Sequence, residues 1–303
     1  MQLHVAPADA ESAHVERTVW TAVDPASGAV LGTADLRLFT DQGRRGLAET
    51  DVRVEAPHRR AGVGDRLLGA VIDAARADGR RTLAAGADAD SPGLAFLTAR
   101  GFRPVLTLRH ARLDLAAVEP DSLALASLAA PGYLVVAWSE RVPEALLDAF
   151  VAARAAMDDM PVGEAEAGPL AWDRARIRAV EQAVLLRGEH LRVVAALDLP
   201  TDRAGVRGEA EAGGRMVGFS ELVVPASGSG DAEHYGTAVL PEHRGRGVAR
   251  RLKAEAIVRT IAEFPEVSGL LTDTAEENTA MRRVNAALGY APTHTTLRLE
   301  LPL

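Results

Sequence analysis

Apolar residues along the chain fall into stretches of two spacings, alternate positions and one helical face, each cut off by glycine, proline or a charged turn. Gln2 to Val5 predicts an opening strand, and residues 18–23 and 29–39 predict a hairpin across Asp24-Pro25-Ala26-Ser27-Gly28. A strand near 47–54, a helix over about 65–78, a short strand from Thr82 to Ala85, a helix near 92–100 and strands within 103–115 follow. Residues 116–131, with Pro120 and several Ala and Ser, read as a linker. Tyr133 to Trp138 then predicts a strand. A helix from about Pro143 carries the Leu146/Phe150 and Leu147/Val151 stripe. Met157-Asp158-Asp159-Met160-Pro161 ends it, and Asp173 begins a second helix with Ile177, Val180 and Val184 on its apolar face. Strands are expected at about 191–197, 214–224 and 232–239. A helix carrying Ala254, Ile257, Val258 and Ile261 comes next, then a strand from Leu270 to Asp273, a helix from Asn278 to Leu288 and a strand from Thr295 to Leu301.

The segment joining the strand that ends near Leu240 to the next helix reads Pro241-Glu242-His243-Arg244-Gly245-Arg246-Gly247-Val248-Ala249. Pro241 cannot continue a strand ladder, and Gly245 and Gly247 permit a tight turn with no Cβ facing a ligand. The free N–H groups at the start of the helix, beside Arg244, Arg246, Arg250 and Arg251, suit an anion such as a pyrophosphate. Val54 to Leu67 repeats this segment 185 positions earlier, with Val54, His58, Arg59, Gly62, Val63, Arg66 and Leu67 identical to their counterparts. Both copies run on through helix, strand and helix to a Gly-aromatic pair, Gly101-Phe102 and Gly289-Tyr290. The chain is therefore a tandem duplication, with a first domain over 1–117, a linker over 118–131 and a second domain over 132–303.

The bulk properties narrow the function. At 303 residues, 48% hydrophobic and 25% charged, the chain has the make-up of a globular protein with room for two domains. A net charge of −8 argues against nucleic acid as a partner and favours cationic substrates. No apolar run is long enough for a bilayer, and Met1-Gln2-Leu3-His4 offers neither basic leader nor apolar stretch, so a cytoplasmic protein with no membrane partner is expected. The absence of cysteine excludes a thiol nucleophile, and no spacing of His, Asp and Glu calls for a metal.

The segment Arg244 to Ala249 resembles the [Q/R]-x-x-G-x-[G/A] acyl-CoA loop of the GNAT superfamily of N-acetyltransferases. Asn278-Thr279-Ala280-Met281 through Asn285-Ala286-Ala287-Leu288-Gly289-Tyr290 resembles the run that packs along pantetheine in that family. With the Met157–Pro161 turn, the chain resembles an actinobacterial group of tandem GNAT proteins, and mycothiol synthase shares the two-domain plan. The resemblance implies an α+β architecture of two tandem GNAT folds, each a mixed, mostly antiparallel sheet flanked by helices. Too few residues precede the hairpin of the N-terminal copy for the two helices of a complete fold, so that copy is expected to be abbreviated, the alternative being a true start that lies upstream. It implies acetyl-CoA as co-substrate, bound by Ala238, Val239, Leu240, Arg244 to Ala249 (with Gly245, Arg246, Gly247 and Val248), Asn278 and Asn285. An oxyanion donor is expected among the backbone N–H groups of Ala238 to Leu240.

In the same terms, Tyr290 would protonate the leaving thiolate, and Glu233, on the strand before the loop, would be the base; Glu221 is the reserve. Simple alternation puts Glu233, Tyr235 and Thr237 on one strand face and His234 on the other. Asp158 and Asp159, in the turn between the first two helices of the second domain, together with Tyr235, would meet an amine acceptor; a solvated acidic turn is the other reading. The first copy keeps the phosphate loop as Arg59, Gly62 and Gly64. It carries Ala48 at the Glu233 offset and Phe102 at that of Tyr290, which makes it a structural or non-catalytic CoA-binding domain. The expected activity is acetyl transfer to a small-molecule amine in a ternary complex, by a monomer or homodimer. A non-catalytic acyl-CoA-binding sensor or scaffold is the alternative.

Overall fold

A computed structural model describes residues 1–12, 15–40, 42–118, 130, 132–157, 172–198 and 214–303. The first repeat comprises β1 (Gln2–Ser12), β2 (Val15–Val23), β3 (Val30–Phe39), β4 (Leu47–Val54), α1 (Val63–Ala77), β5 (Thr82–Asp88), α2 (Pro92–Thr98) and β6 (Arg103–Asp114). The second comprises β7 (Tyr133–Ser139), α3 (Glu144–Ala153), α4 (Arg174–Leu186), β8 (His190–Asp198), β9 (Arg215–Val224), β10 (Ser229–Val239), α5 (Val248–Glu263), β11 (Glu266–Ala275), α6 (Thr279–Ala287) and β12 (Ala291–Pro302). As expected, the described part of the first repeat has no helix between its first strand and its hairpin: β1 runs directly antiparallel to β2.

Compactness divides the chain differently from the boundaries at 117 and 132. The first unit holds the described residues from Met1 to Leu108 together with Thr295–Leu303, and the second holds those from Arg109 to His294. In the first unit β1 to β4 form an antiparallel meander, β5 joins β4 in parallel, and Thr296–Pro302 of β12 pairs antiparallel with Thr82–Asp88 of β5. In the second, β7 to β10 are antiparallel, β11 joins β10 in parallel, and β6 lies next to β11. Arg112 on β6 makes a two-pronged bond to Asp231, with both N–O distances 2.8 Å. The later part of each repeat's closing strand, residues 109–114 of β6 and 295–302 of β12, is thus built into the other compact unit. Periodicity could not reveal this, because it identifies a strand without identifying its neighbour.

The first unit's core forms where α1 lays Val63, Leu67, Leu68 and Val71 on the sheet, against Trp20, Leu36, Leu83 and Phe102. Each such side chain contributes roughly 1.5–3 kcal/mol. The second unit's sheet is covered on one face by α5. On the other, α3 sets Phe150 edge-on between Trp138 and Phe219, at ring-centroid distances of 5.4 and 5.2 Å. On that face Arg154 stacks over the Trp172 ring at 4.1 Å and forms a buried ion pair with Glu221. Burial raises the Glu221 pKa and lowers that of Arg154, while the pair itself opposes both shifts.

The registers of the two repeats reveal a bulge. Val54 pairs with Gly32 as Val239 pairs with Gly218, and Asp51 pairs with Asp35 as Gly236 pairs with Glu221. The next rung of the first repeat is Thr50–Leu36, whereas that of the second is His234–Leu222. Tyr235 is therefore an extra residue, and the alternation of side chains reverses across it. Thr237 lies on the His234 face and bonds Ser220 Oγ at 2.8 Å, which corrects the expectation that it shares a face with Glu233. The bulge also changes the correspondence between copies: Glu49, not Ala48, occupies the rung of Glu233, pairing with Arg37 as Glu233 pairs with Val223.

The Arg154–Glu221 pair gives a stability prediction. Arg154→Met leaves a buried carboxylate unpaired and should lower unfolding free energy by about 3–5 kcal/mol. Arg174→Met, in the exposed cluster with Glu144 and Asp148, should leave it nearly unchanged. Denaturant titration of the two variants checks the contrast.

Candidate functional site

Parallel pairing between β10 and β11 runs from Ser229–Glu266 to Glu233–Leu271 and stops, though β10 continues to Val239 and β11 to Ala275. The two strands part into a fork with Glu233 at its vertex. On its other edge β10 stays paired to β9, and the Leu240 N–H donates to Val217 O at 2.8 Å. Antiparallel alternation then turns the N–H groups of Thr237 and Val239 away from β9, toward the fork. Among the three residues expected to supply an oxyanion donor, Leu240 has its N–H committed, and Val239 is the one whose N–H is available.

Beyond the fork, Pro241–His243 makes a single tight helical turn, and Gly245 and Gly247 adopt φ of 72° and 82°. Gly247 is the N-cap of α5 and supplies no side-chain cap. The N–H groups from Gly245 to Arg250 meet no protein acceptor among the described residues, so the loop and helix start form an anion cradle. Arg244 does not point into it. Its Nε donates back to Val239 O at 2.8 Å and clamps the loop to the strand end. Arg246 reaches the Tyr133 hydroxyl at 3.4 Å, and that hydroxyl lies 2.9 Å from His243 Nδ1. Arg251 holds the carbonyls of Ala130 and Tyr133. Val248 and Ala249 open the helix, with Val248 buried.

The first unit repeats the loop geometry. Arg59 Nε donates to Val54 O at 3.0 Å, and Gly62 caps α1 with φ 78°. Arg60 takes the place of Gly245 with φ 64°, a conformation that costs a non-glycine residue roughly 1–2 kcal/mol. Gly64 answers to packing: a Cβ there would meet the Phe96 ring at 3.0 Å.

Glu233 lies at the surface. Partial burial, then the carboxylates of Asp273 and Glu189, raise its pKa. Tyr235 is exposed, and its hydroxyl accepts from Arg187 at 2.8 Å. Glu221 is taken up by Arg154. Asp158 and Asp159 lie outside the described residues. Asn278 caps α6 by accepting from the Met281 N–H, and Asn285, buried, donates to Thr274 Oγ1 at 3.1 Å. Neither asparagine's geometry requires a ligand, although Asn285 Oδ1 is buried without a hydrogen-bond partner among the described residues.

Tyr290 is buried, and its hydroxyl lies 2.7 Å from His234 Nε2. Burial raises the tyrosine pKa well above its ordinary value and, helped by the nearby Lys253 charge, pushes that of His234 well below. The Lys253 ammonium sits 4.8 Å from the Tyr290 ring centroid, with the residue 1% exposed. Burial lowers its pKa to about 7 against a weaker upward pull from Asp273. Lys253, absent from the sequence-based site, had a visible signal: it is the only lysine among 34 Lys and Arg residues, on the apolar side of a helix. The first repeat has Leu68 at this position, 2% exposed, and Phe102 at that of Tyr290.

The second unit thus sets a forked parallel strand pair ahead of a glycine loop and a helix start without a side-chain cap. The chain belongs to the acetyltransferase (GNAT) family, whose description matches residues 4–102 and 164–290. It is similar in fold to a tandem GNAT protein from the clavulanic acid biosynthesis pathway, with TM-score 0.72 and 23% identity over 96% of this chain and 84% of that one. It is also similar to a GCN5-related N-acetyltransferase from Sphaerobacter thermophilus, with TM-score 0.68 and 17% identity over 94% and 80%. No curated protein matches by sequence. Among the described residues no helix is long and apolar enough to cross a membrane.

Burial of Lys253 makes stability depend on pH. Between about pH 7 and its unfolded pKa the unfolded lysine binds a proton that the folded one does not, so stability rises with pH across this window and is flat below it. Lys253→Met should remove this slope and stabilise the protein at pH 7 by on the order of a few kcal/mol. Thermal melts of both proteins at pH 7, 8 and 9 test this.

Proposed function

We propose that the second unit moves an acetyl group from acetyl-CoA to a small-molecule amine by direct transfer in a ternary complex. The observation that carries this reading is the fork with Glu233 at its vertex, opening onto the cradle of N–H groups at Gly245–Arg250. The cradle fits a pyrophosphate and the fork fits an extended arm that completes the missing half of the β10 ladder. Acetyl-CoA supplies an activated thioester carbonyl, for which the Val239 N–H is the donor turned toward the fork.

Glu233 is the base. Its raised pKa improves it as a proton acceptor. The Asp273 and Glu189 carboxylates that raise that pKa also form an anionic rim that draws an ammonium group. Asp158 and Asp159, outside the described residues, are proposed to pair with the same ammonium group. Tyr290 is the proton donor to the leaving thiolate. The first unit keeps the loop yet ties Glu49 to Arg298 at 2.9 Å and carries Phe102 for Tyr290, which supports a non-catalytic role. The competing reading, an acyl-CoA sensor or scaffold, draws on the depth of Tyr290 and its bond to His234.

Titration of acetyl-CoA by calorimetry followed by thiol-release assays against an amine panel tests the proposal. Glu233→Gln should leave acetyl-CoA affinity within about twofold and lower kcat/KM by about a hundredfold. In the wild type the rate should rise with pH through a pKa above that of an ordinary glutamate, and this limb should vanish in the variant. Binding without transfer to any amine would favour the sensor, and double-displacement kinetics would overturn direct transfer.

A further inference from the structure

The second repeat buries an amine that its fold does not require. The first repeat builds the same helix-on-sheet packing with Leu68, buried at 2% exposure, where the second has Lys253 at 1%. Among the described residues the Lys253 ammonium sits against the face of the Tyr290 ring, 4.8 Å from its centroid. A leucine there would avoid the desolvation of an amine. Every other fixed cation in this sequence is an arginine. Arginine cannot release its proton under ordinary conditions, whereas a buried lysine can.

Its position is tied to the fork. Tyr290, over which Lys253 sits, lies 2.7 Å from the ring of His234, the residue immediately after the last β10–β11 rung. Asp273, two residues past that rung on β11, is the charged group among the described residues whose field reaches Lys253. Lys253 also lowers the basicity of His234. Tyr290 and His234 thus face it, while Asp273, on the Glu233 side of β11, acts on it only through its field; all three lie near the point where the strands part.

Resting on the acetyl-transfer reading above, we propose that Lys253 is a positioning residue that acts through Tyr290: it takes up a proton when negative charge forms in the fork and so holds Tyr290 ready to protonate the leaving sulfur. In the reaction the C–N bond forms, the C–S bond breaks, and the proton lost by the attacking amine is balanced by the one gained at sulfur. Lys253 gains its own proton from solvent as that charge forms and returns it on product release. Nothing is oxidised, and no co-reactant is consumed. At neutral pH the amine is poised for this, since burial brings its pKa to about 7.

The chain's single lysine makes the test direct. In the full protein labelled with 15N-lysine, the one side-chain amine resonance should titrate far below an ordinary lysine, and free CoA, whose thiolate mimics the leaving group, should move the midpoint up by at least one pH unit. Lys253→Met should fold, melt higher than wild type and bind CoA within threefold. It should lose tenfold or more in acetyl transfer, together with the rate change near pH 7; Lys253→Arg should not restore that change. A structural lysine would predict the reverse, a less stable variant with an unchanged pH profile. A lysine midpoint that stays put when CoA binds, or a Lys253→Met enzyme with wild-type rate and pH profile, overturns the proposal. If CoA binds and shifts the lysine but no amine is acetylated, the transfer reading fails while the proton coupling stands; if CoA does not bind, both fall.

Discussion

One extra residue in β10 sets the chemistry of the second unit. Tyr235 pushes the strand out of simple alternation, so that His234 and Thr237 both face α5 while Glu233 stays on the opposite, solvent-facing side. A bulge costs ladder hydrogen bonds, and it is kept here where parallel pairing with β11 ends. Ordinary alternation separates the Glu233 carboxylate from the His234 imidazole and the phenol it meets, and the bulge brings Thr237 onto the imidazole's face. A substrate lying in the fork would meet an acceptor of protons on one face and a donor on the other.

The two repeats act as an internal control for which features belong to the fold and which to chemistry. The arginine clamp onto the strand carbonyl, the left-handed glycine at the helix start and the buried leucine that follows occur in both. These close the loop and seat the helix. The bulge, Lys253, Tyr290 and His234 occur only in the second, and in the first their places are taken by an unbroken ladder, Leu68, Phe102 and Thr50. Glu49 keeps the carboxylate of Glu233, but Arg298 on β12 and Arg37 on β3 neutralise it. Glu49 is thus satisfied on both sides, whereas Glu233 has its pKa raised by partial burial and then by two neighbouring carboxylates.

Much of this was legible in the sequence. The duplication, the order of strands and helices, and the phosphate loop could be read because they rest on local chemistry: apolar spacing, the chirality of glycine, the missing N–H of proline. Glu233 and Tyr290 were expected through the family resemblance, from their offsets to the loop and to the Gly289 turn, and their roles are part of the proposal. What escaped notice depends on pairing partners distant in sequence. The register that makes Tyr235 a bulge needs β9, and the placement of β12 beside β5 needs residues more than 200 positions away. A count by offset therefore matched Glu233 with Ala48, one residue short of its true partner in space.

Lys253 lies between these two cases. Its burial follows from the helical stripe, which places position 253 beside Leu252 and Ala256 on the covered side of α5. Its neighbours do not, because Tyr290 and His234 come from other strands. A lone lysine in an arginine-rich chain is a compositional oddity until the fold puts it under a phenol. A packed core disfavours an ammonium far more than a leucine, so the two repeats, having the same packing to solve, should have converged on the apolar residue had packing been the only demand. They did not, and the copy that kept the amine is the one in which the strands part around an unclamped carboxylate.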